Sequence, residues 1–227
     1  MIDNIQLLFD APFLLLQVAL DGILFGAIFA IAAYGMALVW GVMNVINIVQ
    51  GEFVMLGGFI TFQLTLWGIN PFFGIPIAAA VLFVFGIALY YVVIRRVVDK
   101  DMFISLLATF GLSILLQQLM NQIWGGDVRT VQSGLSTWFL FDYTVTVGQI
   151  KVVAGVGALL LGLILIVFLK KSRLGQAIRA TAQNPRAARV LGIDTDKVFA
   201  ATYGINAALC GAAGALVVMA YSRSEER

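Results

Sequence analysis

A basic segment, KKSRLGQAIRATAQNPRAARVLGIDTDK at residues 170–197, separates two long apolar runs in an otherwise strongly apolar chain. It contains seven Lys or Arg residues and only two acidic ones, Asp194 and Asp196. The flanking runs, at residues 152–169 and 198–221, are long enough to cross the hydrocarbon core of a bilayer, which so charged a segment cannot enter. The sequence therefore predicts two membrane-spanning helices joined by a cytoplasmic loop.

The composition extends this interpretation to the whole chain. Of the 227 residues, 61% are hydrophobic and 11% are charged, and the mean hydropathy is +0.99. This composition excludes an ordinary soluble domain and is typical of a polytopic helical membrane protein. We predict an all-α fold with one transmembrane domain over residues 1–227. Its six apolar runs of about 20 residues lie near residues 14–41, 45–67, 72–94, 103–124, 149–170 and 198–220.

The loops differ in their content of Lys and Arg. Residues 95–101 contain three basic residues, whereas residues 125–148 contain only Arg129. Because basic residues concentrate in cytoplasmic loops, residues 95–101 and 170–197 are predicted to be cytoplasmic and residues 125–148 periplasmic. Strict alternation then places the N-terminus outside. Several aromatic residues suit an outer interfacial anchor: Trp124, Trp138, Phe139, Phe141 and Tyr143.

The residue types present limit the chemistry of this chain. It has no histidine and one cysteine, Cys210, so it has neither an internal disulfide nor a histidine-based metal or acid–base site. It also lacks a GxxxxGK[ST] phosphate loop. We therefore predict no catalytic residue, metal or cofactor, and no ATP hydrolysis by this chain alone. The basic residues act as topology signals, so nucleic-acid binding is not expected.

A short helix is predicted inside the basic segment. Asn184 can cap its free N–H groups, Pro185 is favoured at the first helical position, and Gly192 ends it. An amphipathic helix on the cytoplasmic face of a membrane protein favours docking of a soluble partner.

Polar side chains interrupt the apolar sequence WGVMNVINIVQGEFVMLGGF at residues 40–59. Asn44 and Asn47 would share one face of a helix, with Gln50 continuing it. Polar groups at membrane depth are costly, so a broken helix that contacts a polar solute is one interpretation. The alternative is a turn at the interface, with Glu52 in the first turn of the next helix, where the dipole favours a carboxylate.

A second polar stripe comprises Ser105, Thr109, Ser113 and Gln117, which repeat every four residues. Together they favour an inward face that lines a pathway. Taken singly, serine and threonine more often bond to carbonyls of their own helix. Small-residue pairs such as Gly22 with Gly26 and Ala207 with Gly211 are interpreted as helix packing sites.

Four ordered blocks resemble one known family. They are GVMNVINIVQGEFVMLGGF (41–59), LLATFGLSILLQ (106–117), SRLGQAIRATAQNPRAARVLGIDTDKV (172–198) and AALCGAAGALV (207–217). In order and spacing they resemble the permease subunits of bacterial ABC importers for branched-chain amino acids, including relatives that carry urea or short amides. The resemblance covers residues 12–219 and implies a multi-pass protein of the inner membrane.

The resemblance also implies partners. In that family the segment equivalent to residues 174–193 seats in a groove of the ATPase subunit, in agreement with the docking surface inferred above. The expected partners are two cytoplasmic ABC ATPase subunits, a second related permease and a periplasmic solute-binding protein, in a lipid bilayer. The residues expected to carry the ATPase contact are Arg179, Asn184, Pro185, Ala187, Arg189 and Gly192.

The chain departs from the family at two places. Gln50 stands where the family has histidine in the phrase Asn-x-x-His-Gly-Glu, so a role that needs an imidazole is not expected here. The family continues with further membrane helices beyond the position of Met219, whereas this chain ends in YSRSEER. We therefore expect its permease domain to be incomplete at the C-terminus.

Three other functions stay open on the sequence alone. The first is a urea or short-amide permease, because helices of two subunits set the shape of the pocket. The second is a self-sufficient secondary carrier or channel, for which Asp21 and Glu52 are the only candidate ion-coupling carboxylates. The third is a truncated, inactive remnant.

Overall fold

Helices form most of the part of the chain that the computed structural model describes, namely residues 12–98, 100–132, 134–135, 137–140 and 145–221. In that part the α-helices are α1 (Pro12–Met43), α2 (Gln50–Leu66), α3 (Gly74–Val92), α4 (Met102–Trp124), α5 (Gln149–Lys171), α6 (Arg173–Gln183), α7 (Pro185–Val190) and α8 (Thr195–Ala220). Short 3-10 turns, Pro71–Phe73 and Ile94–Arg96, flank α3. The predicted all-α, polytopic fold is confirmed.

Five helical segments of the described chain are long and apolar enough to cross a membrane: Leu14–Met43, Pro71–Arg96, Met102–Trp124, Gln149–Lys171 and Thr195–Ala220. The remaining predicted span, residues 45–67, corresponds to α2, which begins only at Gln50 and has 17 residues. Such a helix is about 25 Å long, less than the hydrocarbon core of about 30 Å. It is short because residues 44–47 are not helical.

A small β-hairpin, which the sequence analysis did not predict, lies in the loop between α4 and α5. Its strands are β1 (Thr137–Leu140) and β2 (Val145–Gly148), which pair antiparallel with Thr137 opposite Gly148. Among the predicted aromatic anchors, Trp138 is an exposed residue of β1, and Trp124 ends α4 and stacks on Phe59. The side chain of Phe139 and all of Phe141 and Tyr143 lie outside the described residues.

The centre of the bundle is α8. In its most apolar 18-residue window, 83% of the residues are buried, against 11 to 28% in the other four spanning segments. It packs against α1, α2 and α3. This close approach depends on glycine, because a Cβ at Gly211 or Gly214 would collide with the backbone of α3 or α2. The small residues of α8 are therefore packing sites, as the sequence predicts.

The same spacing of small residues at the start of α1 does not mark a contact between helices. Nothing lies within 4 Å of where a Cβ would stand at Gly22 or Gly26. The predicted packing role of this pair is therefore wrong within the described chain.

Contacts between loops and helix ends show which loops lie at each end of the bundle. At one end, Arg95 is 2.6 Å from Asp196, which joins the Ile94–Arg96 turn to the start of α8 near α6 and α7. At the other end, the Val131 N–H donates to the Val218 carbonyl, so the loop after α4 meets the end of α8. Both predicted cytoplasmic loops therefore lie at one end, and the predicted periplasmic loop lies at the other.

A salt bridge fastens α1 to α5 near the hairpin. Lys151 Nζ lies 2.7 Å from Asp21 Oδ1, and the Gln17 side chain both donates to and accepts from the backbone of Thr146. The beginning of α1 is thus at the same end as the predicted periplasmic loop.

Candidate functional site

The chain breaks between α1 and α2. Asn44 has a φ of 53°, a left-handed conformation that ends α1. Residues 44–47 have no regular structure, and Val45, Asn47 and Val49 are buried, whereas Ile46 and Ile48 are only partly buried. The broken helix predicted from the sequence is therefore present. Asn44 and Asn47 do not share a helical face, because Asn44 is exposed and Asn47 is buried on a segment that is not helical.

This break, defined as residues 44–49, lies beside the middle portions of α4 and α8. Thr109 Oγ1 donates to the Ile46 carbonyl at 2.9 Å, and Tyr203 Oη donates to Asn47 Oδ1 at 3.0 Å. At 1.5 Å per residue, Thr109 and Tyr203 are about 10 and 12 Å from the ends of their helices that are predicted to be cytoplasmic. Non-helical backbone at such depth requires protein partners for its polar groups, which these side chains supply.

Two side-chain amides, of buried Asn47 and partly buried Gln50, hold the break to the helices around it. Asn47 Nδ2 donates to Gln50 Oε1 at 3.3 Å. Gln50 Nε2 donates to the Ala32 carbonyl of α1 at 2.7 Å and lies 2.8 Å from Cys210 Sγ of α8. In this conformation the two amides therefore bind protein groups and link α1, α2 and α8.

The polar stripe of α4 faces the protein interior over most of its length. Ser105, Thr109 and Ser113 are buried, whereas Gln117 is exposed. Ser105 donates to the Met102 carbonyl, and Thr109 also approaches carbonyls of its own helix. Ser105 and Thr109 thus make the bonds to their own helix that are typical of a structural role, although they also point inward. A role of the stripe in transport stays a prediction.

Two buried polar atoms near the break have no hydrogen-bond partner within the described part of the chain. Ser113 Oγ donates to Glu52 Oε1 at 2.7 Å, but Glu52 Oε2 has none. Asn206 Nδ2 is likewise without a partner. An unsatisfied buried group costs about 1–3 kcal/mol. Both atoms are included in the candidate site because Glu52 contacts Ser113 of the stripe, and Asn206 lies next to Cys210, which contacts Gln50.

Sequence reasoning missed the contribution of α8. Tyr203, Asn206 and Cys210 lie at positions i, i+3 and i+7 of this helix and are all buried. That spacing places them on one face, and it was the signal that could have identified them. They were not assigned to a site because small apolar residues surround them, and Asn206 alone indicates only a hydrogen bond between helices.

A cavity of about 630 Å³ lies at the predicted outer end of the bundle, between α2, α4, the loop that follows α4, and the end of α8. Gln117 opens onto it, so the stripe and the cavity are continuous along α4. Its other polar lining residues are Gln118, Asn121, Asp127 and Arg129. Most of the remaining wall is apolar or glycine.

At the opposite end, α7 has the termini that the sequence predicts. Asn184 Oδ1 accepts hydrogen bonds from the backbone N–H groups of Arg186 and Ala187, both at 3.0 Å. Pro185 is the first helical residue, and Gly192 has a φ of 85° just after the helix. A six-residue helix with these caps forms where the sequence places it.

The helix α6 was not predicted separately from the basic segment. Ser172 Oγ caps it by accepting from the Gly175 N–H at 2.8 Å. Its buried residues are Gly175, Ile178 and Thr181, at the spacing of one helical face. Arg179 is exposed, and its guanidinium donates to the Leu169 carbonyl at the end of α5. The serine cap and this periodicity were the available sequence signals.

A side-chain hydrogen bond links α7 to the start of α8, and apolar residues at the end of α7 are exposed to solvent. Arg189 Nε donates to Thr195 Oγ1, in the first residue of α8, at 2.6 Å. Val190 is 87% exposed and Leu191 is 79% exposed. We call α6, α7 and residues 191–192 the cytoplasmic helix pair, after the side of the membrane that the sequence predicts for them.

An acidic cap begins α8 beside this pair. Asp194 accepts from the Lys197 N–H and lies 3.1 Å from Lys197 Nζ. The backbone hydrogen bond, followed by the side-chain contact, lowers the pKa of Asp194 below its usual value. The carboxylate is therefore ionised at neutral pH, as a cap at the positive end of a helix dipole should be.

Comparison with known proteins agrees with this arrangement. The family model described as "Branched-chain amino acid transport system / permease component" matches residues 18–225. The high-affinity branched-chain amino acid transport system permease protein LivH of Salmonella typhimurium is 30% identical over 222 residues, which cover 91% of this chain and 71% of LivH. No solved structure matches the chain.

Two further relatives cover the same shares of both chains, 91% and 71%. LivH of Escherichia coli strain K12 is 29% identical, and the permease protein BraD of Pseudomonas aeruginosa, also named for high-affinity branched-chain amino acid transport, is 28% identical. The matched region includes the break, the stripe, the cavity and the cytoplasmic helix pair. The chain therefore belongs to the family of branched-chain amino acid transport system permease components, which are membrane-embedded transport proteins and not enzymes.

Proposed function

We propose that this chain is the permease subunit of an ABC importer that carries branched-chain amino acids across the bacterial inner membrane. The observation that carries the proposal is the family match over residues 18–225. In the proposed assembly two cytoplasmic ATPase subunits supply the energy, and a second related permease completes the pathway. A periplasmic binding protein delivers the amino acid.

The cytoplasmic helix pair is proposed as the ATPase-docking surface. Val190 and Leu191 expose apolar side chains at the basic end of the bundle, and neighbouring exposed arginines include Arg179, Arg186 and Arg189. Apolar side chains rimmed by charged ones suit a protein interface, where the apolar centre is buried and the rim stays hydrated. Asn184, Pro185, Ala187 and Gly192 would give this surface its helical shape.

Transmission is proposed to run through α8. Arg189 binds its first residue, Thr195, and Tyr203 of the same helix binds Asn47 in the break. Because α8 is a continuous helix packed against α1, α2 and α3, a displacement of α7 would reach the break through the Arg189–Thr195 contact, which spans the short connection at residues 191–194. The pathway would pass along Asn44, Asn47, Gln50, Ser105, Thr109, Ser113 and Gln117, with alternating access around them.

The test compares a mild and a severe disruption of α7 in the reconstituted complex. Asn184→Ala removes both cap bonds and costs about 1 kcal/mol of helix stability. Ala188→Pro removes the N–H that bonds to the Asn184 carbonyl at 3.0 Å and costs about 3 kcal/mol. Stimulation of the ATPase by solute and solute uptake are measured together. The two activities should be slightly uncoupled in Asn184→Ala and fully uncoupled in Ala188→Pro.

The contrary outcome is normal coupling in Ala188→Pro with its ATPases still bound. If this buried substitution prevents assembly, Asn184→Ala decides instead, because Asn184 is exposed. Wild-type stimulation and uptake in that variant would show that the ordered α7 helix does not transmit the ATPase signal.

A further inference from the structure

The cavity at the outer end of the bundle has the size and composition of a small-molecule site. Its volume of about 630 Å³ falls within the range of about 300–1,000 Å³ that is typical of ligand pockets. Such pockets have mainly apolar walls and a few convergent polar groups. Here the polar groups lie on α4 and the loop after it, whereas α2 and the end of α8 supply the apolar wall.

One side of the cavity has a cation that can bind a carboxylate. One hydrogen bond of Arg129, from Nη2 to the Trp124 carbonyl at 3.3 Å, fixes its position, and its guanidinium lies 5.6 Å from the centre of the Phe62 ring. In the described chain Arg129 forms an ion pair with Asp127 at 3.7 Å, a separation longer than a hydrogen bond. Guanidinium has five N–H donors in a planar fork that fits a carboxylate.

The cavity also has oxygen atoms that can accept from an ammonium group. Asp127 is exposed, and the amides of Gln117 and Asn121 lie one turn apart on α4. Amides on a membrane-spanning helix are unfavourable in contact with lipid. Their position is explained if they face water or a polar ligand within the cavity.

The part of the wall formed by α2 and the end of α8 is mainly apolar, although Tyr221, just after α8, adds a hydroxyl. Val54 of α2 and Val217 and Val218 of α8 line it, and Gly58 and Gly214 let the two helices approach closely behind it. A charged side chain placed against this wall would lose its hydration without gaining a partner. An aliphatic side chain would instead gain about 25 cal/mol for each Å² removed from water.

We propose that this cavity binds an amino-acid zwitterion with an aliphatic side chain. Arg129 binds the carboxylate, Asp127 and Asn121 bind the ammonium group, and the side chain lies against Val54 and Val218. The inference rests on the proposed function, because it makes the cavity a substrate site of the same importer. It assigns residues that the break and the cytoplasmic helix pair do not include.

The experiment measures protection of a cysteine reporter in the assembled complex without its binding protein. Gln118→Cys places a thiol on the cavity wall, and a water-soluble thiol reagent modifies it. Leucine at ten times its Kd should slow modification about tenfold, because about one site in eleven stays free. Leucinamide lacks the carboxylate, glutamate carries a second one, and urea lacks the side chain, so all three should protect far less.

Arg129→Gln in the reporter background tests the assigned contact. Loss of the charge-assisted hydrogen bonds should raise the Kd for leucine, read from the concentration of leucine that protects the thiol, about 10- to 100-fold. It should also remove the preference for leucine over leucinamide, an effect that a structural role alone would not produce. The matched control is Arg96→Gln, an exposed arginine at the opposite end of the bundle, which should keep full protection.

Three results would overturn the proposal. Leucinamide could protect as well as leucine, Arg129→Gln could leave the preference unchanged, or the thiol could be inaccessible because a protein segment fills the cavity. Uptake by the parent complex, with its binding protein and ATP, is measured in parallel. ATP-driven leucine uptake without leucine protection rejects only this site, whereas uptake of urea in place of leucine rejects the proposed function.

Discussion

Leu191→Ser should weaken binding of the ATPase subunits without altering the fold of the permease. Leu191 is 79% exposed, so the substitution removes apolar surface that the chain itself does not bury. Full burial of a leucine side chain contributes about 1.5–3 kcal/mol. Burial of the exposed four fifths in a partner groove corresponds to about 1.2–2.4 kcal/mol, or about a 7- to 50-fold increase in Kd.

The assay titrates purified ATPase subunits onto the permease in lipid nanodiscs and measures Kd by fluorescence. The matched control is Val128→Ser, since Val128 is 92% exposed in the loop at the opposite end and should leave Kd unchanged. The temperature of unfolding of each permease variant should equal that of the parent. A Kd for Leu191→Ser within twofold of the parent, in a folded protein, would refute burial of Leu191 at the interface.

Three other expectations concern topology, packing and the break. In intact cells an impermeant thiol reagent should label Gln132→Cys but should label Arg173→Cys only after permeabilisation; the reverse would contradict the assigned sides. Gly214→Ala should abolish recovery of folded protein, because its Cβ would collide with the backbone of α2, whereas Gly22→Ala should be recovered normally; equal recovery would contradict the packing argument. Tyr203→Phe should cost about 1–3 kcal/mol by leaving a buried acceptor in the break unsatisfied, seen as a lower unfolding temperature; an unchanged value would contradict that hydrogen bond.

The ends of α7 could be predicted from the sequence because they depend on local chemistry. A side-chain oxygen at Asn184, the fixed φ of Pro185 and the left-handed conformation of Gly192 act within a few residues. The structure also shows how α7 would respond to a proline at Ala187. Ala187 lies in the first turn, and its N–H bonds to the Asn184 side chain, so proline there costs less than the roughly 3 kcal/mol expected in a helix interior.

The packing of glycines could be predicted only in part. A small residue permits close approach of another helix, but it does not indicate which helix that is. Gly214 meets α2, whereas Gly22 in α1 meets nothing in the described chain. The difference comes from the central position of α8, which depends on contacts between helices far apart in sequence.

The candidate site shows the same limit. Polarity alone identified Asn47 and Gln50 as unusual, but the partners that orient them, Tyr203 and Cys210, are more than 150 residues away. The cavity is less predictable still, because its apolar wall comes from α2 and α8 and its polar wall from α4 and the following loop. Long-range packing of this kind has no periodic signal in a single sequence.

The most direct test of the proposed function is uptake by proteoliposomes that contain this permease with its partner permease, two ATPases and binding protein. With ATP available to the ATPases, labelled leucine should accumulate on their side of the membrane, and a nonhydrolysable ATP analogue should abolish accumulation. Labelled urea and acetamide should not accumulate under the same conditions. Accumulation of urea or acetamide in place of leucine, or leucine accumulation that persists without ATP hydrolysis, would contradict the assignment as an ATP-driven importer of branched-chain amino acids.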